Sequence, residues 1–229
     1  MSRPTSRPIN RNGKWLIAAW ILAVGLATFA GYQSLFSTFA EYDDEGYVMI
    51  SIASFMDGHR LYEDTYSQYG PGFFYFSSAI HRIFSIPMTH TAIRLKTLCV
   101  WLLLSGITAW VVQRLTLRRW MALAAFIIAF CHLDKLPLEP GHPQEPSALF
   151  VAIAVLLGTF LTRTSSTSDP SNERHKSPRR WTRWLVIGLM GAICGLAITT
   201  KANVGVLLSI GLGVAFVTQL KHNLSLIHI

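Results

Sequence analysis

Asp43, Asp44 and Glu45 stand together in a chain whose other polar segments are mostly basic. Three adjacent carboxylates can take a proton from an acceptor hydroxyl, or hold a divalent cation such as Mg or Mn. A single acid in that place also serves as a helix N-cap, satisfying backbone N–H groups and the positive end of the helix dipole. Both readings stand at this stage. One acid suffices for a cap, whereas three repel one another beside anionic headgroups, which favours a site that uses negative charge.

Two cations could answer these acids. Arg94 and Lys201 sit at the ends of apolar runs, on what charge placement makes the outer side of a membrane, where Lys and Arg are disfavoured. Cations kept there suit a phosphate or pyrophosphate group. Lys96 reads instead as a side chain snorkelling to the interface. Tyr62, Tyr66, Tyr69, Phe73, Phe74 and Tyr75 surround the turn Gly70-Pro71-Gly72. They fit anchoring at a membrane interface, and aromatic faces also stack on sugars. His142 has no second His or Cys at metal-ligand spacing and reads as a loop histidine. No protein metal site is expected.

The elements that must position these residues follow from composition. The 229 residues are 51% hydrophobic and 14% charged, with the apolar residues in long blocks. That is the pattern of an all-α polytopic membrane protein. The net charge of +8 does not point to nucleic acid, because the Lys and Arg residues cluster between apolar blocks as cytoplasmic loops do. Cys99, Cys131 and Cys194 lie inside those blocks and read as small core residues.

About six spans are expected: Trp15 to Phe36, Thr91 to Val112, Trp120 to Leu133, Ser147 to Leu161, Trp184 to Thr199 and Val204 to Leu220. Residues 1–14 form a basic cytoplasmic N-terminus, and 162–183 a basic, compositionally disordered cytoplasmic loop. Residues 37–90 form an acid-rich outer loop. Two interfacial helices are expected within it, Glu45 to Met56 and Phe73 to Phe84. The four prolines of residues 134–146 forbid continuous helix there. Residues 221–229 read as a truncated tail, and 224–229 (LSLIHI) resemble a translated sequencing adapter, so the chain is expected to be a fragment.

The order of Asp44-Glu45-Gly46-Tyr47, then Asp57-Gly58-His59-Arg60-Leu61-Tyr62-Glu63-Asp64, then Tyr69-Gly70-Pro71-Gly72, and later Thr200-Lys201-Ala202-Asn203-Val204-Gly205 carries a family resemblance. It resembles the membrane-embedded glycosyltransferases of the GT-C fold, and among them the dolichyl-phosphate-mannose protein mannosyltransferase and aminoarabinose transferase superfamily. The resemblance covers about residues 15–220, the N-terminal half of such an enzyme. It implies transfer of a sugar from a polyprenyl-phosphate donor to a hydroxyl of a protein, lipid or glycan acceptor, usually with inversion, at the outer face of a bacterial-type plasma membrane. Under it Asp44 is the general base with Glu45 following, and Asp43 is an additional acid that could take the role. Arg94 and Lys201 match positions that hold the carrier phosphate, and Tyr69, Tyr62 and Asn203 become candidate substrate contacts. A transporter or flippase of lipid-linked or anionic substrates would want charge within its spans and repeated halves. A non-catalytic membrane subunit would have no need of acids facing cations.

Overall fold

A computed structural model of the chain describes residues 11–37, 44–134, 140–162 and 180–227. These residues form the helices α1 (Arg11–Ser37), α2 (Glu45–Met56), α3 (Pro71–Ile83), α4 (His90–Thr116), α5 (Arg119–Leu133), α6 (Gln144–Thr162), α7 (Arg180–Thr200) and α8 (Ala202–Ile227). Residues 1–10, 38–43, 135–139, 163–179 and 228–229, and with them most of both expected cytoplasmic segments, lie outside the described residues.

The fold is all-helical, as the apolar blocks predict. Stretches within α1, α4, α6 and α7 are long and apolar enough to cross a membrane: Gly13–Ser37, His90–Thr116, Gln144–Leu161 and Trp181–Thr200. The other two expected spans, α5 and Ala202–Thr218 of α8, are shorter apolar helices. The expectation of no continuous helix up to residue 146 is corrected, since α6 already begins at Gln144. Pro146 falls in its first turn, where a missing N–H leaves no intrahelical bond unmade.

Helix α4 is the hub, packed against α1, α5, α6 and α2. Its start is fixed by Thr89, whose hydroxyl accepts a hydrogen bond from the Ala92 N–H at 3.3 Å. Between α1, α4 and α5 lies a core of Ala27, Leu35, Leu98, Trp101, Ala109, Ala122, Phe126 and Phe130. Side chains of α4 and α5 pack directly onto Gly31 there: a Cβ on it would stand 2.6 Å from Leu98 Cδ1 and 2.9 Å from Phe130 Cζ.

A second core joins α2 to α3 and the turn before it, through Val48, Ile52, Tyr69, Phe73 and Phe74. The buried residues of α3, Gly72, Phe73, Phe74, Ser77, Ser78 and His81, recur at helical spacing and make one face. The aromatic group therefore divides. Tyr69, Phe73 and Phe74 are interior, not interfacial anchors, while Tyr62, Tyr66 and Tyr75 are exposed. Where α3 meets α7 the glycines leave no room for a side chain of their own: a Cβ on Gly70 or Gly72 would collide with Thr199, and the Gly70 N–H donates to the Thr200 carbonyl at 3.3 Å.

Candidate functional site

Several helix ends meet at a cavity of about 710 Å³, lined by Asp44, Tyr62, Ser67–Pro71, His142, Gln144 and Ile198–Asn203. Its walls are the N-cap of α2, the loop leading into α3, the turn before α6 and the connection between α7 and α8. The arrangement gathers positive helix ends. Helices α3 and α8 both begin at the cavity, and neither carries an acid in its first turn. Their dipoles favour an anion. Lys201 adds a full charge at the start of α8, and its carbonyl accepts from the N–H groups of Val204 and Gly205 at 3.0 and 3.1 Å.

Asp44 is the acid of this cavity among the described residues. It is the N-cap residue of α2, but its side chain makes no capping bond. Only its carbonyl, accepting from the Val48 N–H at 2.9 Å, enters the helix ladder. The exposed carboxylate is thus left to the cavity. Asp43 lies outside the described residues.

Glu45 and Arg94 do not line the cavity with the others; they bind each other. The Glu45 carboxylate is fully buried and accepts from Arg94 Nε at 3.1 and 3.0 Å and from Nη2 at 2.7 Å. Arg94 Nη1 donates to the Leu35 carbonyl at 2.9 Å, and His90 Nδ1 stands 3.2 Å from the same carboxylate. Such a bidentate pair neutralises both partners and ties α2 to α1 and α4. The structure thus places both residues in a pair that holds the start of α2, and Asp44 with it, outside the lining of the cavity.

The remaining candidates sit on the cavity wall. Tyr62 has a left-handed backbone, φ 72°, uncommon for a bulky residue, and its hydroxyl donates to the Tyr69 carbonyl at 2.8 Å. Partial burial raises its phenol above the ordinary value, keeping it a donor. Asn203 is exposed, and its Oδ1 accepts from the Val204 N–H at 2.9 Å. Tyr69 is buried, with its hydroxyl 3.0 Å from His142 Nε2.

Two sequence readings change here. Lys96 is half-buried and lies toward the turn before α6, its Nζ 3.8 Å from where a Cβ on Gly141 would stand. Glu145 accepts from Thr97 Oγ1 at 2.6 Å and from the Gly141 N–H at 3.0 Å, fixing the turn before α6. His142 is no bystander in that turn. It is buried at the cavity wall, in a contact that crosses 73 residues of chain. Its only local signal is the rigid Pro140-Gly-His-Pro143 setting.

Among the described residues no group of three His, Cys, Asp or Glu side chains gathers as a metal site. Fold and cavity together define an all-helical membrane protein with a polar, cation-bearing pocket at one end of its bundle. The chain matches no family model, curated protein or solved structure.

Proposed function

We propose that the chain belongs to a membrane glycosyltransferase that moves a sugar from a polyprenyl-phosphate donor to an acceptor hydroxyl. The observation that carries this reading is the single cavity that opposes the Asp44 carboxylate to Lys201 and to the acid-free starts of α3 and α8. In the reaction Asp44 takes the proton of the acceptor hydroxyl, and that oxygen attacks the anomeric carbon. The bond from that carbon to the phosphate oxygen breaks. Lys201 and the helix N-termini hold the charge that develops on the leaving phosphate. Tyr62, Tyr69 and Asn203 supply polar contacts on the same wall. The likeness of the Asp44-Glu45 and Tyr69-Gly70-Pro71-Gly72 segments to the GT-C superfamily supports the same reading.

The topology that suits this function has six spans, the N-terminus in the cytoplasm, α2 and α3 along the outer interface and the cavity facing outward. The acceptor is a protein, lipid or glycan. The test is transfer by the purified protein from a panel of polyprenyl-phosphate-linked hexoses and pentoses. Asp44→Asn lowers the rate by about 10²–10⁴-fold with unchanged thermal unfolding. Lys201→Ala loses donor binding. Undiminished transfer by Asp44→Asn overturns the assignment.

A further inference from the structure

His142 borders the cavity beside Tyr69, and the mechanism above gives it no part. His142 is 7% exposed and Tyr69 8% exposed, so both are locked by packing while still bordering the cavity. Their rings meet edge to face at 5.3 Å, and Tyr69 meets Phe73 in the same way at 5.7 Å. The backbone of Tyr69 is also held: its N–H donates to Ser67 Oγ at 3.0 Å, and its carbonyl accepts from Tyr62.

The hydrogen bonds give the pair a direction. The Gln144 N–H donates to His142 Nδ1 at 3.4 Å, which assigns the lone pair of the neutral ring to Nδ1 and its hydrogen to Nε2. Nε2–H therefore donates to the Tyr69 hydroxyl oxygen at 3.0 Å. Gln68 Nε2 donates to the same oxygen at 3.3 Å. A phenol oxygen that accepts two hydrogen bonds meets further partners as a donor, and the bonds it accepts polarise its own O–H. Tyr69 immediately precedes the α3 N-cap Gly70, at the positive end of that helix, so an anionic oxygen is the acceptor its surroundings favour.

We propose that His142 is a positioning residue that orients the Tyr69 hydroxyl as a hydrogen-bond donor to a phosphate oxygen of the bound substrate. The tyrosine thereby acts through its hydroxyl and not by stacking on a sugar. Resting on the reading above, this assigns to the phosphate a neutral donor besides Lys201.

The probe is sugar-free polyprenyl phosphate, titrated into the detergent-solubilised protein and followed by tryptophan fluorescence. Tyr69→Phe keeps the ring and removes the hydroxyl, and weakens binding by about tenfold. His142→Ala weakens it similarly, and the double variant is no weaker than Tyr69→Phe alone, because the two residues act as one unit. His142→Gln, whose amide N–H can stand in for Nε2–H, restores most of the affinity. The two readings fail separately. If the wild type binds and Lys201→Ala does not, while Tyr69→Phe binds as wild type, the role of the pair is overturned and the cavity's function stands. Independent, multiplying losses in the double variant overturn the coupling. A wild type that does not bind polyprenyl phosphate overturns both. Should His142→Ala fail to fold, Tyr69→Phe and His142→Gln decide alone.

Discussion

The Glu45–Arg94 pair offers the sharpest separation of structure from chemistry. Arg94→Met removes the guanidinium and leaves a fully buried carboxylate facing an apolar side chain. Three short hydrogen bonds to the carboxylate and one to the Leu35 carbonyl vanish together. Removing one partner of such a pair costs about 3–5 kcal/mol, mostly the penalty of an uncompensated buried charge. His90 Nδ1, 3.2 Å from the same carboxylate, is more than half exposed and offsets little of this. For a chain of this size the cost corresponds to a fall in melting temperature of about 6–20 °C. The double variant Glu45→Met/Arg94→Met removes both charges and is expected to melt higher than either single variant. The assay is thermal unfolding in one fixed detergent, with transfer measured well below every melting temperature. Glu45→Gln that melts within about 2 °C of wild type yet has lost transfer would refute the reasoning, because the carboxylate would then be chemical and not structural.

The contact of α3 with α7 has no room for a side chain, so Gly70→Ala is expected to destabilise by about 1–3 kcal/mol by pushing the Thr199 carbonyl away. The same variant weakens polyprenyl-phosphate binding, because the displaced backbone is cavity wall; an unchanged melting temperature in thermal unfolding refutes the close approach. His81 predicts a pH dependence. It is buried, its Nδ1–H donates to the Ile86 carbonyl at 3.1 Å, and its Nε2 has no hydrogen-bond partner. Burial first, and Lys96 after it, hold the imidazole below its ordinary value against the opposing pull of the Ile86 bond. As pH falls below about 6.5 the unfolded chain takes up a proton that the folded one refuses, so stability present at neutral pH is lost on acidification. Melting curves between neutral and mildly acidic pH check this, and His81→Gln should flatten that part of the profile.

The helices were legible because long apolar blocks leave little choice. Glu45–Met56 is bounded in the structure where its helical spacing and the Asp57-Gly58 stop signal place it. The start of α6 was missed because prolines were read as breakers without regard to the first turn, where Pro146 does no harm. At the site, the acid cluster and the outlying cations stood out, but formal charge does not say which acid turns inward. Successive residues on a helix point about 100° apart, so Glu45 enters the interior while Asp44 faces the cavity. Arg94 stands out in the sequence by its charge, and it pairs with a carboxylate 49 residues away. A separation of 73 residues hides the link between Tyr69 and His142.

The closure of the cavity by Gly70, Gly72 and the Thr199–Asn203 connection bears on how such a chain matures. During synthesis the segment carrying Asp44 and Tyr69 leaves the ribosome long before the hairpin of α7 and α8 exists. Until α7 and α8 are made, the cavity lacks Lys201 and the start of α3 lacks its contact with Thr199. The pocket is complete only once α7 and α8 have been made and α7 has packed against α3. A pulse-chase sampling of protease accessibility near Gly70 would see that moment as a single, delayed protection step.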